Sequence, residues 1–129
     1  MAIRLETMRK HVQTYFDAHT SKMGLTGVRF EIREKKNMPK FYWNCDGVAY
    51  SNQRLVILQR EYIEKTWEQQ DKIEDLVIHE LMHIFVHKKY GDDVKAHGRE
   101  FRRECVNYGI HPAISGYKRF LEESRSGKA

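Results

Sequence analysis

The stretch from Ile73 to Val86 most constrains the fold. Read as a helix, it carries Ile73, Leu76, Val77, Ile78, Leu81, Met82, Ile84, Phe85 and Val86 on nearly every side. A surface helix needs one apolar stripe, so a helix apolar all round has to be central and wrapped by other elements. His79, Glu80 and His83 nevertheless lie in its middle, and polar groups buried without partners cost several kcal/mol. Something must satisfy them. Asp71 and Glu74 have the spacing of a capping box, and Gly91 supplies the stop.

Helical residues four apart share a face, one turn from each other. His79 and His83 can thus present two imidazoles to one ion at the ~2.0–2.1 Å that zinc prefers. Glu80, turned by ~100°, is poorly placed as a third ligand but can reach a water beside the ion. H-E-x-x-H therefore joins two ligands to a proton acceptor; the bland alternative is a pair of core histidines bonded to backbone. Catalytic zinc takes a third protein ligand and keeps one position open. Lys89 occupies the site where one class of such chains has a third histidine, and His87 lies a further turn along the same straight helix, too far to share a small ion. Glu100 and Glu104 have the separation used by another class. His97 fits best, four residues before Phe101 and eight before Cys105 on the inward stripe of the next helix, with Gly98 permitting close helix approach. Glu104 is its main rival.

The remaining pattern is mixed. Residues 3–23 place Leu5, Met8, Val12, Tyr15, Phe16 and His19 at helical steps, and Gly24 caps them. Val28, Phe30 and Ile32 alternate with charge as in a strand. Residues 40–52 read as two short strands joined across Asp46 and Gly47, Arg54–Leu58 as a covered fourth strand, and Glu61–Trp67 as a short helix. A last helix starts near His97, carries Phe101, Cys105 and Tyr108, and closes at Gly109 and Pro112. This order predicts an α+β fold with a small, mostly antiparallel twisted sheet against the H-E-x-x-H helix. Residues 1–122 are expected to form one domain, with 123–129 a flexible tail.

Two cysteines, Cys45 and Cys105, exclude a disulfide framework and a C-x-x-C zinc ribbon. A net charge of +5 from 23 Lys+Arg against 18 Asp+Glu favours polyanions only weakly by itself. The basic residues nearest the histidines, Lys88, Lys89, Lys95, Arg99, Arg102 and Arg103, are the expected DNA contact. No run reaches the ~18 apolar residues of a membrane span, and charge interrupts the N-terminus as it would not in a secretory signal. A cytoplasmic monomer without membrane contact is the expectation.

The segment "HELMHIFVHKKYGDDVKAHGREF" resembles the SprT-like metallopeptidases, whose signature is H-E-x-x-H followed after a short connection by H-G-x-x-[FW]. The resemblance extends upstream through "GVAYSNQRLVILQREYI", downstream through "YGIHPAISGYKRF", and covers about residues 45–120. It implies a zincin-like fold, with the motif helix against a small sheet and the third ligand on the next helix. It also implies one Zn2+ per chain held by His79, His83 and His97, with Glu80 as catalytic acid and base. Relatives include the Spartan proteases, which degrade proteins crosslinked to DNA. The cysteine pairs of the zinc ribbon common in bacterial relatives are not in this sequence.

The expected activity is zinc-dependent hydrolysis of a protein or peptide substrate, with DNA-associated proteins as a target class. Tyr90, Tyr108 and Tyr117 are candidate donors to the reaction's oxyanion. The rival readings are a basic nucleic-acid- or protein-binding module with structural zinc, and a zinc hydrolase acting on something other than a peptide.

Overall fold

A computed structural model of the protein describes residues 2–110. The first helix, α1 (Leu5–Met23), buries Met8, Val12, Phe16 and Met23 along one face. Gly24 ends it at φ 69°, its N–H bonding the Ser21 carbonyl at 3.1 Å. That left-handed conformation favours glycine because a Cβ would crowd the backbone there.

Three strands follow: β1 (Arg29–Arg33), β2 (Gly47–Tyr50) and β3 (Leu55–Gln59). Their order is β1-β3-β2, with β1 parallel and β2 antiparallel to β3. The sheet is thus mixed and three-stranded, correcting the expectation of a mostly antiparallel sheet with four strands. The missing strand is the segment ahead of Asp46. Pro39 opens a 3-10 turn at Lys40–Tyr42, and the Trp43 indole N–H donates to the Met38 carbonyl at 2.9 Å, folding the chain on itself. Asp46 and Gly47 make no hairpin turn, because the Asp46 carbonyl already accepts the Gln59 N–H at 2.8 Å. The β2–β3 reversal lies at Ser51–Arg54 instead, with Arg54 at φ 50°.

All five residues of β3 are buried. Val56 and Leu58 join the main core beneath the helices, while Leu55 and Ile57 face a smaller cluster with Met38 and Val48. A strand covered on both faces reads as a continuous apolar run because neither side-chain direction meets water.

A short helix, α2 (Arg60–Lys65), leads to α3 (Gln70–Tyr90), which packs on α1, the sheet and α4 (Arg99–Tyr108). The Asp71 and Glu74 capping box does not form. Gln69 takes the cap position without a side-chain bond, and Glu74 accepts from His19 Nε2 at 2.7 Å. Tyr108 OH lies 2.6 Å from His19 Nδ1, so this pair of contacts ties α1, α3 and α4 together. Ten residues of α3 are buried, His79 and Glu80 among them, as its all-round apolar pattern requires. The architecture is α+β. Among the described residues, no helix is long and apolar enough to cross a membrane. Pro112 and the expected tail 123–129 lie outside the described residues.

Candidate metal centre

His79 and His83 point from the middle of α3 toward the chain between α3 and α4. Their ring centroids are 5.0 Å apart. His97 completes the group, with its ring 5.4 Å from His79 and 4.7 Å from His83. One donor atom from each residue lies within 4.8 Å of the others, and the Nε2 atoms of His79 and His97 stand 3.4 Å apart. Two nitrogens on one tetrahedral zinc, each at ~2.0–2.1 Å, are separated by ~3.4 Å. The three residues therefore fit a divalent metal ion.

The electrostatics agree with that fit. Burial, followed by the neighbouring rings, pushes His79 down to about 4 and His83 down to about 3. Burial also lowers His97. Neutral rings keep lone pairs free for a cation, whereas protonated rings would repel it. A hydrogen bond to the Ala96 backbone partly offsets the shift at His83. Among the described residues, His79 Nδ1 is the one buried side-chain nitrogen or oxygen with no hydrogen-bond partner.

His97 is not on a helix, contrary to the expectation from its stripe with Phe101 and Cys105. It is exposed in the turn before α4, which is capped by Gly98. Gly98 does not bring two helices together either. A Cβ there would stand 3.0 Å from Lys95 Cβ and 3.3 Å from the Lys95 carbonyl oxygen, so its absence lets the turn close on itself.

Glu80 shares a cavity of about 380 Å³ with the three histidines. It is 3% exposed, and burial, with the charge of Asp46 adding to it, pushes its carboxyl up to about 8. Its Cγ and Oε2 lie against the first residue of β2: a Cβ on Gly47 would be 3.2 Å from each. Ser51 in the β2–β3 turn reaches the His83 carbonyl at 3.4 Å, joining the sheet to the motif helix.

The other candidates are engaged elsewhere. His87 pairs with Asp92 on the cavity rim. Glu104 is buried and accepts from Lys89 Nζ at 2.8 Å and Tyr90 OH at 2.6 Å. Burial alone would raise its pKa, but those bonds and the Lys89 charge outweigh it and hold the carboxylate low. Glu100 is likewise outside the histidine cluster. Tyr90 and Tyr108 spend their hydroxyls on Glu104 and His19, and Tyr117 lies outside the described residues. Tyr42 lines the cavity instead. The segment's strand-like pattern had hidden this residue, which the 3-10 turn brings inward.

A sequence model described as the SprT-like family matches residues 5–114. The chain belongs to the SprT-like family. Protein SprT of Pseudomonas putida strain GB-1 is 26% identical over 118 residues, 83% of this SprT-like chain and 63% of that protein. The proteins of the same name in strain W619 and in Pseudomonas entomophila strain L48 are each 26% identical over 123 residues, covering 87% of this chain and 66% of theirs. The chain thus spans slightly under two thirds of the length of these relatives. No solved structure matches it. The family match begins at residue 5, well before the 45–120 region carrying the motif resemblance, and so takes in α1 and β1.

Proposed function

We propose that this SprT-like chain is a zincin-like, zinc-dependent endopeptidase. The observation that carries the reading is one cavity holding three neutral imidazoles with converging nitrogens and a buried carboxylate one residue along the same helix. His79, His83 and His97 would hold one Zn2+. A zinc ion supplies Lewis acidity, bringing the pKa of a water toward ~7 and polarising a carbonyl. Glu80 takes the proton released by that water and delivers it to the departing amine nitrogen as the C–N bond breaks. Burial holds a proton on Glu80 in the metal-free chain; a cation on the neighbouring histidines would favour the ionised carboxylate and so free it to act as the proton acceptor.

Strand β2 supports a protein or peptide substrate. Among the described residues it pairs with β3 alone, and Gly47, Val48 and Ala49 line the cavity. A strand edge offers backbone donors and acceptors that an extended peptide can pair with. DNA-associated proteins are the proposed target class, with DNA held on Lys95, Arg99, Arg102 and Arg103, all exposed. The other two basic residues of the expected patch have partners: Lys88 donates to the Gly24 carbonyl at 3.2 Å and Lys89 to Glu104.

The test is cleavage of an unfolded protein and of a DNA-bound protein, with and without DNA, by the parent and Glu80→Gln. The variant is expected to retain zinc and lose turnover, and any DNA stimulation should weaken with salt. Parent-like cleavage by Glu80→Gln would remove the carboxylate from the mechanism. Bound zinc whose removal unfolds the chain, with no cleavage under any condition, would establish the structural-zinc reading.

A further inference from the structure

His97 raises a mechanical question. It is exposed and sits in a turn, yet its Nε2 is 3.4 Å from that of His79 on the central helix. The terminal torsion of a histidine is broad. Backbone position alone therefore leaves each of the three rings free to rotate its nitrogens away from the others.

We propose that Phe101 is the positioning residue of the metal centre, a shared wall that sets the planes of all three imidazoles so that their nitrogens converge before a cation arrives. The inference rests on the metal centre proposed above. Phe101 is fully buried. Its ring stacks on His83 at 4.4 Å and 23°. It meets His79 at 5.2 Å and 69°, and His97 at 5.1 Å and 87°. Stacked and edge-to-face contacts are the geometries that aromatic rings prefer, so one phenyl ring constrains three imidazoles. An aliphatic side chain could fill the same space without dictating any ring's plane.

Phe101 also links the exposed ligand to the core. The turn closes tightly at Gly98, whose N–H bonds the Lys95 carbonyl at 3.1 Å. The Gly98 carbonyl then accepts the Arg102 N–H at 3.0 Å, opening α4. Inserting Phe101 into the core therefore seats His97 four residues earlier.

The experiment titrates the metal-free chain with Co2+, followed by its visible absorption, and with Zn2+ in competition with a chelator. Phe101→Leu is expected to weaken both ions on the order of 10–100-fold, the loss typical when groups orienting metal ligands are removed. It should also alter the Co2+ band shape while leaving the helical circular dichroism parental. Phe101→Trp, which restores an aromatic plane, is expected to recover affinity to within several-fold. A Leu variant that binds Co2+ with parental affinity and band shape overturns the proposal. If that variant does not fold, the metal-free parent decides the matter by NMR. Single, ring-current-shifted imidazole positions for His79, His83 and His97 support preorganisation, and rotationally averaged rings overturn it. A parent that binds neither ion overturns the metal centre itself, a separate failure visible without any peptidase assay.

Discussion

Replacing Gly47 with alanine should displace Glu80 without touching a histidine of the candidate metal centre. Gly47 does not have a positive φ, so alanine can adopt its backbone conformation and the effect lies in the added methyl. That Cβ would sit 3.2 Å from Glu80 Cγ, Glu80 Oε2 and the Ile57 carbonyl oxygen, a few tenths of an ångström inside ordinary contact. Ile57 belongs to the central strand, paired on both sides, so the Glu80 side chain gives way toward the cavity. Overpacking of this kind costs ~1–3 kcal/mol, and the small shortfall places Gly47→Ala near the lower end. A misplacement of ~1 Å at a reacting group costs on the order of 100-fold in rate, so a shift of a few tenths should cost roughly tenfold in kcat. Zinc affinity should remain parental. The assay combines thermal melting, zinc titration and steady-state cleavage of an unfolded protein. Unchanged kcat in a variant carrying the methyl would refute the account, as would a loss of activity explained wholly by lost zinc.

The metal-free chain should be most stable near pH 6.5. His79 and His83, lowered to about 4 and about 3 from 6.5, bind fewer protons folded than unfolded, so their contribution rises with pH until 6.5 and then stays level. Asp75, raised to about 6 mainly by burial, opposes them but is spent before that point. Glu80, raised from 4.5 to about 8, keeps its proton folded and loses it unfolded, so stability falls by about 2 kcal/mol from pH 6.5 to 8 at ~1.4 kcal/mol per unit. Glu80→Gln should flatten that fall in denaturant melts, and a slope equal to the parent's would assign it to another group. Glu104→Ala should destabilise the chain by ~1 kcal/mol through loss of the hydrogen bond from half-buried Tyr90, exposed Lys89 turning to water, with zinc affinity within a few-fold of the parent. A large loss of zinc with an unchanged melt would make Glu104 a ligand after all.

Much of the helical layer was legible from sequence because it is local. The four-residue interval between His79 and His83 becomes a shared face whatever surrounds the helix, and the all-round apolar pattern of 73–86 already required a central position. Gly24, Gly91 and Gly109 end helices where the pattern stops. Sheet topology was less legible. Residues 40–43 have the composition of a strand, but an indole bond to Met38 coils them, and no local rule reveals that β1 runs parallel to β3 across a connection through β2. The capping box failed for the same reason: Glu74 had a distant partner in His19.

Sequence by itself determined the helix carrying H-E-x-x-H, its burial, and the chemical types of the groups that could meet a cation, since these follow from a 3.6-residue repeat and the cost of dehydrating polar atoms. Only the tertiary structure decided that His97 meets the other two histidines while Glu104 pairs with Lys89 and Tyr90, that Gly47 leaves room for Glu80, and that one phenyl ring touches three imidazoles. Those facts depend on how separate segments pack, where a few tenths of an ångström, invisible in residue spacing, choose the partner.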